Sequence, residues 1–237
     1  LTRNSLIPLS LVVCFALVYW LRAAPFWIAV VGVPIVLLYV GAPRLGRTSL
    51  ARFDRDAIGL LASGRKAELR ARYARAILMR LFAAPALAAE RRGLVAAETG
   101  DAAGARSAYR AALDGYPQDR APVAVRLGLA QAAFALGDDR EAILHYQGVL
   151  TNDGRFPRVA RNLAHALARR GEELDQAEEL AEEALRESKD ASAKLVRALV
   201  HAKRGEAGPA RKLLKAARRA KGVDELREDV EVALEEI

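Results

Sequence analysis

The most apolar part of the chain lies near its beginning, where two uncharged runs follow one another. The runs cover residues 6–21 and 26–42, and the link between them contains Arg22 and Pro25. As one helix, residues 6–42 would extend about 55 Å, whereas the hydrocarbon core of a bilayer is about 30 Å thick. Pro25 can open a second helix, which would leave Arg22 at a membrane interface. The pattern therefore predicts two transmembrane helices that form a hairpin over residues 1–43.

Basic residues follow the second apolar run, at Arg44, Arg47, Arg52 and Arg55. Because positive residues near a membrane segment favour the cytoplasmic side, we expect the rest of the chain to face the cytoplasm of a bacterial inner membrane. Two alternatives stay open. Each run is slightly short for a full span, so the hairpin could lie shallow in the bilayer, and the rest of the chain could instead face the periplasm.

After residue 44 the sequence repeats with a long period, and a single glycine marks each repeat. The glycines are separated by 36, 37, 34 and 34 residues, at Gly64, Gly100, Gly137, Gly171 and Gly205. A small residue stands seven positions before each of them, at Ala57, Gly93, Ala130, Ala164 and Ala198, and a tyrosine stands nine positions after the first three, at Tyr73, Tyr109 and Tyr146. This predicts a repeated unit of a helix, a glycine turn and a second antiparallel helix. The small residues should lie where the helices cross, and the tyrosine ring should pack against the next unit.

These positions resemble the pattern of the tetratricopeptide repeat (TPR) family. The match is best over residues 86–120, where the pattern positions are occupied by Gly93, Gly100, Ala105, Tyr109, Ala112 and Pro117. In the fourth unit, Asn162-Leu163-Ala164 is similar to the Asn-Leu-Gly of the family. The resemblance implies an all-α fold, a TPR-like α-solenoid of helix-turn-helix repeats preceded by the two transmembrane helices.

The chain is thus expected to have four parts. They are a transmembrane hairpin at 1–43, a basic juxtamembrane segment with a degenerate first repeat at 44–85, TPR-like repeats at 86–221, and a C-terminal capping helix at 222–237. The capping helix is predicted from apolar residues at helical spacing with acidic residues elsewhere. Almost no linker separates the hairpin from the repeats, so the repeats should lie close to the membrane surface.

In the family, the first helix of each unit lines a concave groove that binds proteins or peptides. Carried over position by position, the resemblance implies a partner-binding groove formed by Leu127, Gln131, Phe134, Arg158, Arg161, Asn162, His165, Arg169, Leu199 and Lys203. Arg161, His165 and Arg169 recur every four residues and so share one helix face. Forked guanidinium donors on that face would suit an acidic segment or a chain terminus. The alternative is a solvated face whose cations pair with the acidic stretch at 172–187.

Other chemistry finds little support in the composition. The net charge is +8, but twelve basic and four acidic residues lie between 44 and 92, which suits an anionic membrane surface better than nucleic acid. Cys14 is the single cysteine, and the three histidines are not at metal-binding spacing. No glycine-rich phosphate loop occurs. We therefore expect no catalytic activity, no cofactor, no metal and no nucleic-acid partner.

The leading hypothesis for function is a membrane-anchored scaffold that binds a protein or peptide in the groove of its repeats, with the bilayer contacted through residues 6–42. An accessory or assembly subunit of a larger membrane complex is the alternative. The identity of the partner and the oligomeric state stay open. The sequence starts at Leu1 and its single methionine is Met79, so either the true start is missing or a non-standard start codon was translated literally.

Overall fold

The computed structural model describes residues 12–13, 16, 25–117, 120–153, 156–188 and 190–237, without the side chains of 25–32, 35–40 and 152–153. Within these ranges the regular structure is entirely helical. The chain divides after Gln118 into two compact units. The helix-turn-helix organisation predicted from the glycine spacing is therefore confirmed as an all-α fold.

Unit 1 contains five described helices of very different length. They are α1 (Pro25–Ala62), α2 (Lys66–Arg75), α3 (Ile77–Phe82), α4 (Pro85–Glu98) and α5 (Ala102–Gly115). Helix α1 is continuous across residue 43, where the sequence-based domain boundary falls, and it contains Pro34 and Pro43. The first predicted transmembrane run, residues 6–21, lies outside the described residues except for 12, 13 and 16.

A search of the described residues finds no helix with the length and apolar character that a membrane span requires. The two transmembrane helices therefore stay a prediction from the sequence.

The second half of α1 packs against α2 and α3 around a small apolar core. The largest buried side chains there are Phe53, Leu69 and Met79. Tyr73 meets Phe53 edge to face, with 5.9 Å between the ring centroids. Gly46 permits the close crossing of α1 with the end of α3, since a Cβ at Gly46 would lie 2.3 Å from the carbonyl oxygen of Phe82.

Helices α4 and α5 form the clearest repeat of unit 1. Asp101 begins α5 as its N-cap, and its carboxylate accepts a hydrogen bond from the backbone N–H of Gly104 at 2.8 Å. The ring of Tyr109 lies directly on Gly93, where a Cβ would be 2.8 Å from the nearest ring carbon. The sequence pattern predicted that this ring would pack against the next unit. It packs on the first helix of its own unit, because Gly93 has no side chain to exclude it.

Unit 2 continues with three helical hairpins and one further helix. The first helices of the hairpins are α6 (Val123–Ala135), α8 (Pro157–Arg170) and α10 (Ala191–Lys203), the second helices are α7 (Asp139–Asp153), α9 (Leu174–Ser188) and α11 (Ala207–Ala216), and the last helix is α12 (Asp224–Glu235). One core runs through these hairpins, and the small residues at the crossings, Ala130, Ala164 and Ala198, are fully buried in it.

The turn glycines adopt the conformation that the sequence predicted for them. In unit 2, the backbone φ angles of Gly137, Gly171 and Gly205 are 77°, 67° and 80°. These values lie in the left-handed region, which a residue without a Cβ adopts at little cost. The glycines therefore recur with a long period because one of them follows the first helix of each hairpin.

Candidate functional site

The residues predicted to form the partner-binding groove all lie in unit 2. Helix α6 carries Leu127, Gln131 and Phe134, α8 carries Arg158, Arg161, Asn162, His165 and Arg169, and α10 carries Leu199 and Lys203. They do not form one continuous exposed surface. Leu199 is buried in the core, whereas Gln131 and Arg158 are exposed.

One part of this set forms a compact cluster between α6 and α8. The rings of Phe134 and His165 lie 4.8 Å apart between centroids, and the guanidinium of Arg169 lies 4.8 Å from the centroid of the Phe134 ring. The second contact is within cation–π range. The structure thus brings Phe134, His165 and Arg169 together.

Basic side chains of α8 and α10 meet acidic side chains from three parts of unit 2. His165 Nε2 lies 2.7 Å from a carboxylate oxygen of Asp229 on α12, and Lys203 Nζ lies 2.8 Å from Glu236, which directly follows α12. Arg169 lies 3.3 Å from Asp139 on α7 and 3.9 Å from Glu225 on α12. We call His165, Arg169 and Lys203 the basic face. The alternative from the sequence placed its partners at 172–187, whereas these carboxylates belong to α7, α12 and the residue after α12.

The electrostatics of Asp229 reflect this arrangement. Burial alone would raise the pKa of its carboxyl group. The hydrogen bond and the charge of His165, together with the charges of Arg169 and Lys203, outweigh burial and hold the pKa of Asp229 below its ordinary value. The basic face therefore stabilises the carboxylate of Asp229 in its ionised form.

Arg161 and Asn162 have another role in the structure. Arg161 donates to the carboxylate of Asp190 at 2.6 Å and to Ser192 Oγ at 2.8 Å, and also to the side-chain oxygen of Asn162. Asp190 is the N-cap of α10 and accepts from the backbone N–H of Ser192. These contacts fasten α8 to the start of α10, so Arg161 faces an internal partner.

Asn162 also hydrogen-bonds to Tyr146 of α7. Tyr146 is 1% exposed, and burial raises the pKa of its hydroxyl group to about 12 although this hydrogen bond acts in the opposite direction. The Tyr146–Asn162 contact therefore joins the second helix of one hairpin to the first helix of the next.

Sequence reasoning missed a second cluster of cations. Arg211, Lys215 and Arg218 lie with Arg227 around a cleft of about 490 Å³ between α11 and α12. The signal was present, because residues 211, 215 and 218 have helical i, i+4, i+7 spacing. It was overlooked because the acidic residues of α12 balance these charges when the region is counted as a whole.

Among the residues whose placement is described, no set of three or more His, Cys, Asp or Glu side chains could hold a metal ion.

Acid is expected to lower the free energy of unfolding of unit 2. The pKa values of Asp229, Asp190 and Glu178 are lower in the folded protein than their ordinary values. Each of these groups therefore contributes stability that is complete above its unfolded pKa of about 4 and is lost as the pH falls further, through its folded pKa. Asp139 acts in the opposite sense, since burial raises its pKa despite the nearby Arg169.

Urea unfolding of the full chain, followed by far-UV circular dichroism over a pH range that spans these pKa values, measures the effect. The substitution Asp229→Asn removes one titrating group and should make the acid-side loss of stability smaller. An unchanged slope in this variant would show that the Asp229 pair does not contribute to the pH dependence.

Comparisons with known proteins give a clear result at the level of the fold. No protein-family model matches the sequence, and the search of curated proteins finds no match. Solved structures do match. YrrB, described as a TPR protein with an unusual peptide-binding site, has a TM-score of 0.57 and 16% identity over 76% of this chain and 90% of its own.

Two other solved structures agree with the first. A tetratricopeptide repeat protein from Parabacteroides merdae has a TM-score of 0.59 and 15% identity over 79% of this chain and 74% of its own. PilF of Pseudomonas aeruginosa has a TM-score of 0.56 and 19% identity over 79% of this chain and 90% of its own. The chain therefore has the fold of tetratricopeptide repeat proteins. This confirms the fold implied by the glycine spacing.

Proposed function

We propose that unit 2 is a protein-interaction module, which binds a protein or peptide segment on the side of α6, α8 and α10 where the basic face lies. The single observation that carries this proposal is the contact of His165, Arg169 and Lys203 with the carboxylates of Asp229 and Glu225 on α12 and of Glu236 directly after it. These carboxylates belong to the chain itself, and an acidic segment of a partner would offer the same groups. The peptide-binding site named for YrrB, which has the same fold, agrees with this proposal.

The side-chain chemistry of the basic face supports recognition of carboxylates. An arginine offers forked donors, a lysine offers a mobile ammonium group, and a histidine can donate from either ring nitrogen. Phe134 adds an aromatic surface beside them. The exposed Gln131 and Arg158 lie on α6 and α8 and extend the surface that a partner can reach.

Site-specific crosslinking in native membranes tests the proposal. A photoreactive residue placed at Gln131 on α6 should crosslink to a partner, whereas one placed at the exposed Arg186 on α9 should not. The triple substitution His165→Ala, Arg169→Gln and Lys203→Gln should reduce the crosslink at least about tenfold, because charge-assisted contacts are removed.

The matched control removes three exposed cations from second helices, with Arg140→Gln, Arg186→Gln and Lys212→Gln. This control should crosslink as the unmodified protein does, and far-UV circular dichroism verifies that both variants are folded. Equal crosslinking in both triple variants would exclude the basic face as the binding surface.

We also propose that residues 6–42 anchor the protein in a membrane as a hairpin, with the repeats on the cytoplasmic side. The support is the absence of charge from both apolar runs and the exposed arginines in the following part of α1, at Arg44, Arg47, Arg52 and Arg55. Alkaline extraction of membranes should leave the protein in the pellet. A phosphatase fused after Ile237 should be inactive, and an active fusion would place the repeats in the periplasm.

A second candidate function is that of an accessory subunit in a larger membrane complex. It is favoured by three exposed apolar side chains on α3, which are Ile77, Leu78 and Leu81. Exposed apolar patches on soluble surfaces mark interaction sites. A stoichiometric complex that survives mild detergent and is lost with Leu78→Ser and Leu81→Ser would favour this function, and a monomer would count against it.

A further inference from the structure

Helix α12 has two neighbouring stripes of different chemistry. Its apolar stripe consists of Leu226, Val230 and Ala233, which are buried in the core of unit 2. Its acidic stripe consists of Glu225 and Asp229 together with Glu236, which directly follows the helix, and these residues meet the basic face. The apolar stripe packs on α10 and α11, while the acidic stripe reaches back to α8. The helix thus covers residues of two successive repeats.

The attachment of α12 is weak at both of its ends. The side chains of Glu225 and Glu236 are 74% and 60% exposed, whereas that of Asp229 is 27% exposed. Ion pairs this exposed are screened by water and salt and contribute little to stability. A helix of 12 residues is marginal in water without tertiary contacts, so the order of α12 depends on its packing. Opening of such an element is expected at lower free energy than opening of the repeats.

Release of α12 would separate His165 and Lys203 from their carboxylates, whereas Arg169 would keep its contact with Asp139 at 3.3 Å. The surface then exposed would consist of the basic face, the ring of Phe134 beside it, and the apolar surface that the apolar stripe of α12 covers. Such a surface is complementary to an acidic amphipathic helix. The sequence of α12 itself defines the pattern of such a ligand, with acidic residues at i, i+4 and i+11 and apolar residues at i+1, i+5 and i+8.

We propose that α12 is an internal occupant of the partner-binding surface, and that the partner is an acidic amphipathic helix of another protein, which takes its place. The proposal rests on the function proposed above and adds the chemistry of the partner and its regulation. Binding requires α12 to move aside, so the measured affinity is reduced by the fraction of molecules in which α12 is released. Any change that weakens the α12 contact strengthens partner binding.

A peptide of residues 224–237 is the probe for this proposal, labelled with a fluorophore and titrated with the full-length protein in mild detergent. The released variant carries Glu225→Gln, Asp229→Asn and Glu236→Gln, which keep the apolar stripe and the helix intact. The matched control carries Glu179→Gln, Glu228→Gln and Glu235→Gln, which are three exposed carboxylates outside the acidic stripe. The attachment of α12 is thereby weakened in the released variant and not in the control.

The released variant should bind the peptide about tenfold more tightly than the unmodified protein or the control, as three weak ion pairs of the competing helix are lost. Adding His165→Ala, Arg169→Gln and Lys203→Gln to the released variant should abolish binding. A peptide with the same three acidic residues neutralised should not bind either. Hydrogen exchange in residues 224–235 should accelerate in the released variant, and also in the unmodified protein when the peptide is in excess.

Equal affinity of the released variant and the unmodified protein for the peptide would overturn the proposal. So would peptide binding that does not depend on the basic face. A concentration-dependent dimer that the peptide dissociates would show that α12 of a second copy is the occupant, and would overturn the assignment to another protein. If the crosslink from Gln131 is equally strong in the released variant and the unmodified protein, the interaction function stands and the internal competition fails.

Discussion

Replacing Gly93 with valine is expected to lower the free energy of unfolding of unit 1 by about 3 kcal/mol, as overpacking of a tight contact does. The reason is local and steric. Even a Cβ at this position would approach three carbons of the Tyr109 ring to within 2.8–2.9 Å, and those atoms belong to a buried side chain. Valine adds two further methyl groups at the crossing of α4 and α5. The helices would have to separate, or the ring would have to leave its site.

A second glycine offers a control with the opposite sign. Gly59 lies in α1, and a Cβ there would have no atom within 4 Å. Gly59→Ala should therefore stabilise unit 1 by up to about 1 kcal/mol through helix propensity, whereas Gly93→Ala should not. Urea unfolding followed by circular dichroism, with hydrogen exchange in α4 and α5, measures both. A valine at residue 93 without effect would mean that α4 and α5 can separate at little cost.

The fold could be predicted because its signals are local. Each turn needs a residue that adopts positive φ, and each helix crossing needs a small residue, so the glycines and alanines recur with the period of the repeat. Gly171 ends α8 in the left-handed conformation, as its place in the sequence indicated.

The packing partners of the cations could not be predicted, because they are distant in the sequence. His165 and Asp229 are separated by 64 residues, and Arg161 and Asp190 by 29. Helical spacing shows that Arg161, His165 and Arg169 share a face, but it does not show what covers that face. The structure divides them: Arg161 is bound to the start of α10, while His165 and Arg169 meet α12.

The continuity of α1 is a further limit of sequence reasoning. The end of the apolar run and the start of the basic residues predict a boundary at residue 43, yet α1 continues through Pro43 to Ala62. A proline removes one backbone hydrogen bond, but a long helix packed along part of its length can tolerate this. The change in composition therefore does not coincide with a helix end.

Replacing Tyr146 with alanine is expected to have the largest effect in unit 2, with a loss of about 3–5 kcal/mol in the free energy of unfolding. Tyr146 is among the largest fully buried side chains, and its ring lies in the core between α7 and α8. Alanine would leave a cavity there and remove the hydrogen bond to Asn162. The midpoint of thermal unfolding should fall by roughly 10 °C, at 2–4 °C for each kcal/mol in a chain of this size.

The substitution Tyr146→Phe separates packing from hydrogen bonding at the same site. It keeps the ring and removes only the hydroxyl group, so the expected loss is about 1 kcal/mol. The consequences for binding should also differ. With alanine, α8 loses its support, and the crosslink from Gln131 should weaken because His165 and Arg169 are no longer held in place. With phenylalanine the crosslink should be retained. If the two variants were equally stable, the ring of Tyr146 would not be the packing element that positions α8, and the basic face would have to be held by its contacts with α12 and α10 alone.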